Sequence, residues 1–282
     1  MTVAMTETAE TPSGKGSGDE NFPVGSILLP RRLRPHVAIF YAYARAIDDV
    51  ADNPDLAPGD KVTRLDGFDR ALLGETDDPA YEKANRVRHS FAEMGVPIQH
   101  CRDLISAFKQ DAVKLRYEDW ADLMDYCDRS ASPVGRYLLD LHGVSRDLYF
   151  ASDALCNALQ VINHLQDCQD DYRDLDRVYL PQDWMAEAGV AVEALDAPAA
   201  SAGLRQILDK CLDGTADLLV DARKLPKPMS SRHLALESSA IVRIAERLTD
   251  QLRHRDPLAE RVELTKPQFL LCCLQGVLRV LF

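Results

Sequence analysis

"YARAIDDVADNPD", residues 43–55, places three aspartates within five positions at the end of an apolar, aromatic run. Asp48, Asp49 and Asp52 are close enough along a helix to repel one another, by about 0.2–0.5 kcal/mol for an exposed pair. A carboxylate that faces a pocket instead of bulk water also carries a desolvation cost. Something outside the chain, or across it, is expected to compensate for this crowding.

The residues before these aspartates predict one helix. Pro35 suits its first turn, and Asn53 is pushed out of the helical region because Pro54 follows it. Four side chains at offsets of 0, 4, 7 and 11 residues then share one helix face: Tyr41, Arg45, Asp48 and Asp52. Taken alone, the DDxxD pattern is a weak signal, because a solvated acidic helix end more often explains such a cluster.

A second polar stripe is predicted within "LQVINHLQDCQDDYRDLDRVYLP", residues 159–181. Gln160, Asn163, Asp167 and Asp171 lie at offsets of 0, 3, 7 and 11 and share a face. Apolar residues at 155, 159, 162 and 165 surround this face, which indicates a largely buried helix. Because buried polar groups need partners, a row of two amides and two carboxylates is poor core material, although a purely structural role stays open.

Two acidic stripes facing one cavity suit Mg²⁺. Proteins commonly hold this ion with one or two carboxylates, while waters and substrate phosphate oxygens complete the octahedron. Such ions stabilise a diphosphate leaving group as Lewis acids and templates. Arg45 and Arg177 are candidates for direct phosphate contacts, since arginine suits bidentate recognition of oxygens.

Composition and periodicity indicate an all-α protein. The 282 residues are 46% apolar and 28% charged, and the net charge of -12 argues against a protein that binds duplex nucleic acid. Residues 1–20 are predicted to be a disordered tail, and residues 21–282 a single helical domain around a central cavity. Besides the helix at 35–52, helices are expected near 59–74, 78–94, 97–115, 119–128, 131–142, 145–172, 201–222, 230–255 and 265–281.

The seven cysteines form no CxxC pair and no Cys/His group with zinc-ligand spacing. Without a visible secretory signal, reduced thiols in a cytoplasmic protein are expected. The final run "FLLCCLQGVLRVLF", residues 269–282, is too short to span a bilayer. It predicts a buried last helix, with contact to a membrane surface as the alternative.

These stretches resemble the squalene/phytoene synthase family of isoprenyl diphosphate synthases. The likeness runs from about residue 21 to the C-terminus and is strongest over residues 21–52 and 105–183, where "YCDRSASPVG" (126–135) and the trailer "RVYLP" join both aspartate motifs. "ENFPV" (20–24) and "LLPRRLRPHV" (28–37) look closest to the bacterial members that make hydroxysqualene for hopanoid biosynthesis.

The resemblance implies the isoprenoid synthase fold, with the two aspartate motifs facing each other across the cavity. It assigns metal binding to the two aspartate motifs and places the remaining matched residues near the substrate. The implied metal ligands are Asp48, Asp49, Asp52, Asp167 and Asp171; Tyr41 and Arg45 match positions near the diphosphate, Gln160 and Asn163 belong to the second stripe, and Tyr126 matches a cavity tyrosine.

Two departures from the family pattern indicate a specialised partial reaction. Many relatives have a tyrosine where this chain has Asp128, and a late cavity tyrosine is absent, since no tyrosine follows Tyr179. No GxGxxG or Walker loop is present, so reduction by bound NADPH has no support in the sequence. Asp128 is instead a candidate for holding a water molecule near a substrate cation.

Other residues have a structural explanation beside a functional one. Asp111 and Lys114 are either a surface pair or, for Asp111, part of the cavity; His164 is expected to be a satisfied, half-buried histidine. Gly135 allows close helix packing, which is favoured, or substrate approach. An isoprenoid tunnel or ordinary core explains Phe22, Leu28, Leu29, Val134 and Leu138.

The expected reaction converts presqualene diphosphate and water to hydroxysqualene and diphosphate, with presqualene diphosphate handed over by its synthase. The alternative within the family is condensation of two prenyl diphosphates to presqualene diphosphate, squalene or phytoene. A helical assembly factor on the same scaffold is the non-enzyme alternative, and it is disfavoured because both aspartate motifs are intact.

Overall fold

The computed structural model describes residues 9–12 and 29–281, and the regular structure within them is helical. This confirms the all-α prediction. The α-helices are α1 (Arg34–Asp52), α2 (Pro58–Leu72), α3 (Glu82–Met94), α4 (Gln99–Asp111), α5 (Trp120–Ser130), α6 (Ser132–Leu141), α7 (Tyr149–Gln166), α8 (Cys168–Leu175), α9 (Gln182–Glu187), α10 (Ala202–Ala222), α11 (Arg232–His254) and α12 (Lys266–Leu281). Short 3-10 helices cover Pro79–Tyr81, Arg146–Leu148 and Val192–Asp196.

Helix α1 ends where the sequence predicted. Pro35 lies in its first turn, and Asn53 has extended backbone angles (φ -63°, ψ 115°). A residue before proline is driven to this extended region by contact with the proline ring. The end of the helix, and with it the position of the aspartate cluster, is therefore fixed by local sequence.

The chain forms two compact units, residues 1–113 and 114–282. In the first unit α1 packs against α2, α3 and α4. Tyr43 lies at the centre of this core, with its ring 6.4 Å from that of Phe68, and its hydroxyl donates to the carbonyl oxygen of Cys101 at 3.0 Å. The buried phenol therefore has a partner inside the core, as a buried polar group requires.

Residues 9–12 of the predicted tail contact the first unit. Ala9 N donates to the carbonyl oxygen of Ala80 at 3.2 Å, and Thr11 Oγ1 donates to the carbonyl oxygen of Asp49 at 2.8 Å. The rest of the predicted tail lies outside the described residues. The boundary of the tail stays a prediction.

In the second unit α7 is the central helix. It packs against α5, α6, α10 and α11, and α12 packs against α11. Eleven of the eighteen residues of α7 are buried. A helix that is apolar on most of its circumference is expected to be surrounded by other helices in this way.

The single helix predicted over residues 145–172 is wrong in detail. The chain instead forms a 3-10 turn, then α7, and α8 begins after an interruption at Asp167, whose backbone lies at φ -104° and ψ 6°. The hydrogen bonds from Asp167 N to Asn163 O (2.9 Å) and from Asp171 N to Asp167 O (2.8 Å) continue across it. Aspartate tolerates such a local departure because its side chain offers the backbone alternative hydrogen bonds. The two helices thus follow each other with a one-residue distortion.

The prediction of a buried last helix is also wrong. Cys272 and Gly276 are buried, while leucines along the other side of α12 are exposed. The apolar residues of this helix extend around more of its circumference than α11, the helix that packs against it, covers. Among the described residues, no helix has the length and apolar character needed to cross a membrane.

Candidate active site

The first polar stripe lies on the less buried side of α1. Tyr41, Arg45, Asp48 and Asp52 are each half-buried. Between them Tyr43, Ala46, Ile47 and Val50 are buried in the core of the first unit. The helical spacing read from the sequence therefore places these four polar side chains together on one face, as predicted.

Arg45 bridges two of the aspartates. Its Nη1 lies 2.8 Å from Asp48 Oδ2, and its Nη2 lies 2.8 Å from Asp49 Oδ1. Charge-assisted contacts of this length are among the stronger hydrogen bonds in proteins. The arginine thus supplies part of the positive charge that the crowded carboxylates require.

The environment of Asp48 resists ionisation. Burial, and then the neighbouring charge of Asp52, hold the pKa of Asp48 well above its ordinary range, while Arg45 acts in the opposite direction. Asp111 adds to the rise in pKa from the end of α4, where its side chain is buried at 3% exposure. The interpretation of Asp111 as part of a surface pair is therefore wrong, and Lys114 donates to Asp122 instead.

The second stripe follows α7 into α8. Gln160, Asn163, Asp167 and Asp171 are half-buried, whereas the apolar residues beside them on α7 are buried. Asp167 Oδ1 lies 3.9 Å from Arg261 Nη1, and a solvent-accessible ion pair of this length contributes little to stability. The stripe is thus formed as predicted, with the distortion at Asp167 between its two carboxylates.

Arg177 is buried beside this stripe. Its backbone nitrogen donates to the carbonyl oxygen of Asp171 at 3.1 Å, and the next residue, Val178, donates to the carbonyl oxygen of Leu115 at 2.9 Å. These bonds fix the segment that follows α8. A buried guanidinium at this point is suited to binding an anion with well-defined geometry.

An aromatic cluster packs against the same part of α7. The rings of Tyr126, Tyr117 and Tyr179 lie 5.3–5.7 Å apart, and the ring of His164 is stacked on Tyr179 with centroids 3.5 Å apart. His164 Nε2 is 3.2 Å from Gln160 Nε2. Burial, together with the charge of Arg177, lowers the pKa of His164 to about 3. The imidazole is therefore neutral at physiological pH.

Asp128 belongs to a small polar network. Asn157 Nδ2 donates to Asp128 Oδ1 at 2.7 Å, and Ser132 Oγ donates to Asn157 Oδ1 at 3.0 Å. Asn157 and Ser132 are buried, whereas Asp128 is exposed. Sequence reasoning missed Asn157, although a polar residue three positions before the stripe, in an apolar stretch of the same helix, is a signal that points to it.

Of the remaining candidates, the structure describes four and leaves two outside the described residues. A Cβ on Gly135 would lie 2.3 Å from Ser152 Oγ, so this glycine permits the close packing of α6 on α7. Val134 and Leu138 are half-buried one turn apart on α6, and Leu29 is buried. Phe22 and Leu28 lie outside the described residues.

The donor atoms in both stripes fit Mg²⁺ that is bound partly by water and phosphate oxygens. They do not fit an ion that is held by protein ligands alone. In the part of the chain that the structure describes, no three His, Cys, Asp or Glu side chains converge to hold an ion on their own. Mg²⁺ dehydrates reluctantly and often takes one or two carboxylates, with water and phosphate oxygens as its other ligands. Half-buried aspartates in pairs, such as Asp48 with Asp52, match that preference. Which of the five aspartates bind metal stays a prediction.

The all-α architecture and the two aspartate-bearing stripes agree with the family resemblance seen in the sequence. Residues 16–268 match the squalene/phytoene synthase family. The chain belongs to this family.

Several relatives of the chain are hydroxysqualene synthases. The chain is 44% identical to hydroxysqualene synthase from Rhodopseudomonas palustris, over 95% of this chain and 91% of that protein. It is 43% identical to hydroxysqualene synthase from Zymomonas mobilis, over 92% and 87% of the two chains. Among solved structures, squalene synthase HpnC from Alicyclobacillus acidocaldarius matches with a TM-score of 0.71 and 33% identity, over 82% of this chain and 87% of that one. A dehydrosqualene synthase, at 19% identity and a TM-score of 0.76 over 93% and 92%, supports the fold alone.

Proposed function

We propose that this protein is a hydroxysqualene synthase, which converts presqualene diphosphate and water to hydroxysqualene and diphosphate. The observation that carries the proposal is the pair of half-buried stripes, on α1 and on α7–α8, in a chain 40–44% identical to three hydroxysqualene synthases. Both stripes keep every aspartate that the family resemblance assigns to metal binding. The chain is then an isoprenoid enzyme of the lyase type, dependent on Mg²⁺.

The aspartates and arginines bind the diphosphate end of the substrate in this account. Asp48 and Asp52, with Asp49 beside them, would hold Mg²⁺ on α1, and Asp167 and Asp171 would hold Mg²⁺ on α7–α8. Bound Mg²⁺ supplies positive charge that stabilises the departing diphosphate. Arg45 and Arg177 contact phosphate oxygens, and Arg45 exchanges its contacts with Asp48 and Asp49 for these when substrate binds.

The aromatic cluster suits the hydrocarbon end. Loss of diphosphate leaves a cyclopropylcarbinyl cation, and the faces of tyrosine rings attract a cation without reacting with it. Tyr126, Tyr179 and the neutral ring of His164 provide such faces in a compact aromatic wall. By excluding bulk water, this wall protects the cation while it rearranges.

Water enters at Asp128 in this mechanism. Asn157 occupies one oxygen of the carboxylate by donating to it, which leaves the other oxygen to accept a hydrogen bond from water. The water oxygen forms a bond to the rearranged cation, and the proton it loses passes to the carboxylate and then to solvent. The product is an alcohol, and no reductant is consumed.

Incubation of the purified protein with presqualene diphosphate and, separately, with farnesyl diphosphate tests the proposal. With Mg²⁺ and without NADPH, we expect hydroxysqualene from the first substrate and no reaction with the second. EDTA is expected to abolish turnover. Formation of presqualene diphosphate from farnesyl diphosphate, or squalene that appears only with NADPH, would replace this function with its family alternative.

A pair of variants on one short helix tests the second stripe. Asp171→Asn removes a proposed metal ligand from α8, and Asp170→Asn removes the adjacent, exposed carboxylate on the same helix. We expect turnover to fall at least a hundredfold in the first variant, on the order of one strong transition-state contact, and to stay unchanged in the second. Equal turnover in the two variants would contradict the metal assignment.

A further inference from the structure

Helix α12, Lys266–Leu281, exposes a continuous row of leucines. Their positions along the helix fall within an arc of about 100°, because each residue turns the helix by about that angle. The exposed fractions are 66% for Leu270, 53% for Leu271, 56% for Leu274, 43% for Leu278 and 42% for Leu281. We call this row the leucine face.

The opposite side of α12 fixes the direction of the leucine face. Cys272 and Gly276 are buried against α11, and the backbone of Gly276 approaches so closely that an added Cβ would lie 2.5 Å from Ala240 Cα. Arg243 Nη2 donates to Gln275 Oε1 at 3.0 Å. Rotation of α12 to bury its leucines would break these contacts, so their exposure is a stable feature of the packing.

The size of the leucine face argues against a second copy of the chain as its occupant. The five exposed fractions add up to about 2.6 leucine residues, on the order of 450 Å², against roughly 800 Å² per partner in a standard stable interface. Patches of roughly 300–600 Å² on monomers are often functional. A single apolar helix face that lies on the apolar layer of a bilayer does not need a contact area larger than this one.

Charge favours a lipid surface beside these leucines. The chain has a net charge of -12, yet residues 232–281 hold eight Lys and Arg against six Asp and Glu. On α12 itself Lys266 and Arg279 are exposed, and its sequence contains no acidic residue. Arg279 Nη1 also lies 4.0 Å from Glu246 Oε1 on α11. An anionic bilayer attracts exposed basic residues near its surface by roughly 1 kcal/mol each.

We propose that the leucine face of α12 docks the protein on the surface of a bilayer that contains anionic lipid. The helix lies in the interface, its leucines enter the boundary between headgroups and acyl chains, and α11 remains on the water side. The inference extends the proposed function, because a C30 prenyl substrate and its alcohol product are themselves membrane-soluble. Docking places the enzyme where both molecules are found.

Flotation with vesicles of phosphatidylethanolamine and phosphatidylglycerol tests the inference on the full chain. The test variant is Leu270→Gln/Leu274→Gln/Leu278→Gln, which removes apolar surface and keeps good helix formers. The matched control is Leu73→Gln/Val220→Gln, which alters apolar residues that are similarly exposed (46% and 52%) but lie elsewhere. We expect wild type and control to float with the vesicles, and the test variant to bind at least tenfold less.

Each other outcome overturns the proposal. Wild-type protein that stays at the bottom of the gradient, a test variant that floats like wild type, or an equal loss in the control would show that the leucine face is not a lipid-binding surface. A wild-type dimer in sedimentation velocity that the test variant abolishes would assign the face to a second copy. Thermal unfolding of all variants monitors the fold. Turnover of detergent-dispersed presqualene diphosphate, expected to be unchanged in the test variant, reports separately on the proposed function.

Discussion

Gly276→Ala tests the contact that orients the last helix. An alanine Cβ at this position would lie 2.5 Å from Ala240 Cα, 2.6 Å from Ala240 N and 2.7 Å from the carbonyl carbon of Ser239. These are main-chain atoms of α11 and cannot rotate aside. Normal contact requires α12 to move away by about 1 Å, and overpacking of this kind costs about 1–3 kcal/mol.

Two effects with opposite signs determine the net result. Because alanine is favoured over glycine inside a helix by about 1 kcal/mol, the net destabilisation is expected to be about 0–2 kcal/mol. At about 2–4 °C per kcal/mol for larger single domains, the Tm falls by up to about 8 °C. Gly59→Ala in α2 is the matched control, since an added Cβ there meets no atom within 4 Å. That control is expected to be neutral or slightly stabilising.

Thermal unfolding by circular dichroism measures both variants. Amide exchange in α12 is expected to quicken in Gly276→Ala and to stay unchanged in Gly59→Ala. A Gly276→Ala protein as stable as the Gly59→Ala control would refute the reasoning, because it would mean that α12 does not lie against α11 at this glycine.

Three further predictions concern the candidate site. Asp48→Asn is expected to leave the metal-free protein at least as stable as wild type in urea unfolding. The substitution relieves repulsion from Asp52, while Arg45 keeps its ion pair with Asp49. Clear destabilisation of the variant in EDTA would contradict this. In the unfolded chain the pKa of His164 is about 6.5, whereas in the fold it is lowered to about 3. The free energy of unfolding therefore falls as the pH drops from 6.5 towards 3, and this group contributes about 1.4 kcal/mol per pH unit. The stability advantage of wild type over His164→Phe should therefore shrink by about 2 kcal/mol between pH 6.5 and about pH 5, and a constant difference would mean that His164 is not buried in its neutral form. Asn157→Ala is expected to lower kcat for presqualene diphosphate about tenfold, the value of roughly one hydrogen bond, with KM unchanged; a change in KM alone would remove Asn157 from the step that uses water.

Local sequence patterns were sufficient to predict both stripes. The residues of α1 follow a strict helical period, and Pro35 and Pro54 bound the helix from either side. The half-buried positions of Gln160 and Asn163 likewise follow from the apolar residues around them. Such features depend on neighbours along the chain, which the sequence presents directly.

Features that depend on contacts between distant segments could not be predicted in this way. Asp111 resembles a surface residue when only Lys114 is considered, and its burial follows from how α4 packs within its unit. The bond from Asn157 to Asp128 joins residues 29 positions apart. The exposure of the leucines on α12 follows from the amount of surface that α11 covers, because apolar character alone does not reveal which face has a neighbour.

The origin of the oxygen in the product tests the central claim most directly. The protein would be incubated with presqualene diphosphate and Mg²⁺ in H₂¹⁸O, without NADPH, and the alcohol analysed by mass spectrometry. Capture of the cation by water predicts hydroxysqualene that carries one ¹⁸O atom from the solvent. Recovery of unchanged presqualene diphosphate, or of an alcohol that keeps the oxygen of the original C–O bond, would contradict the account.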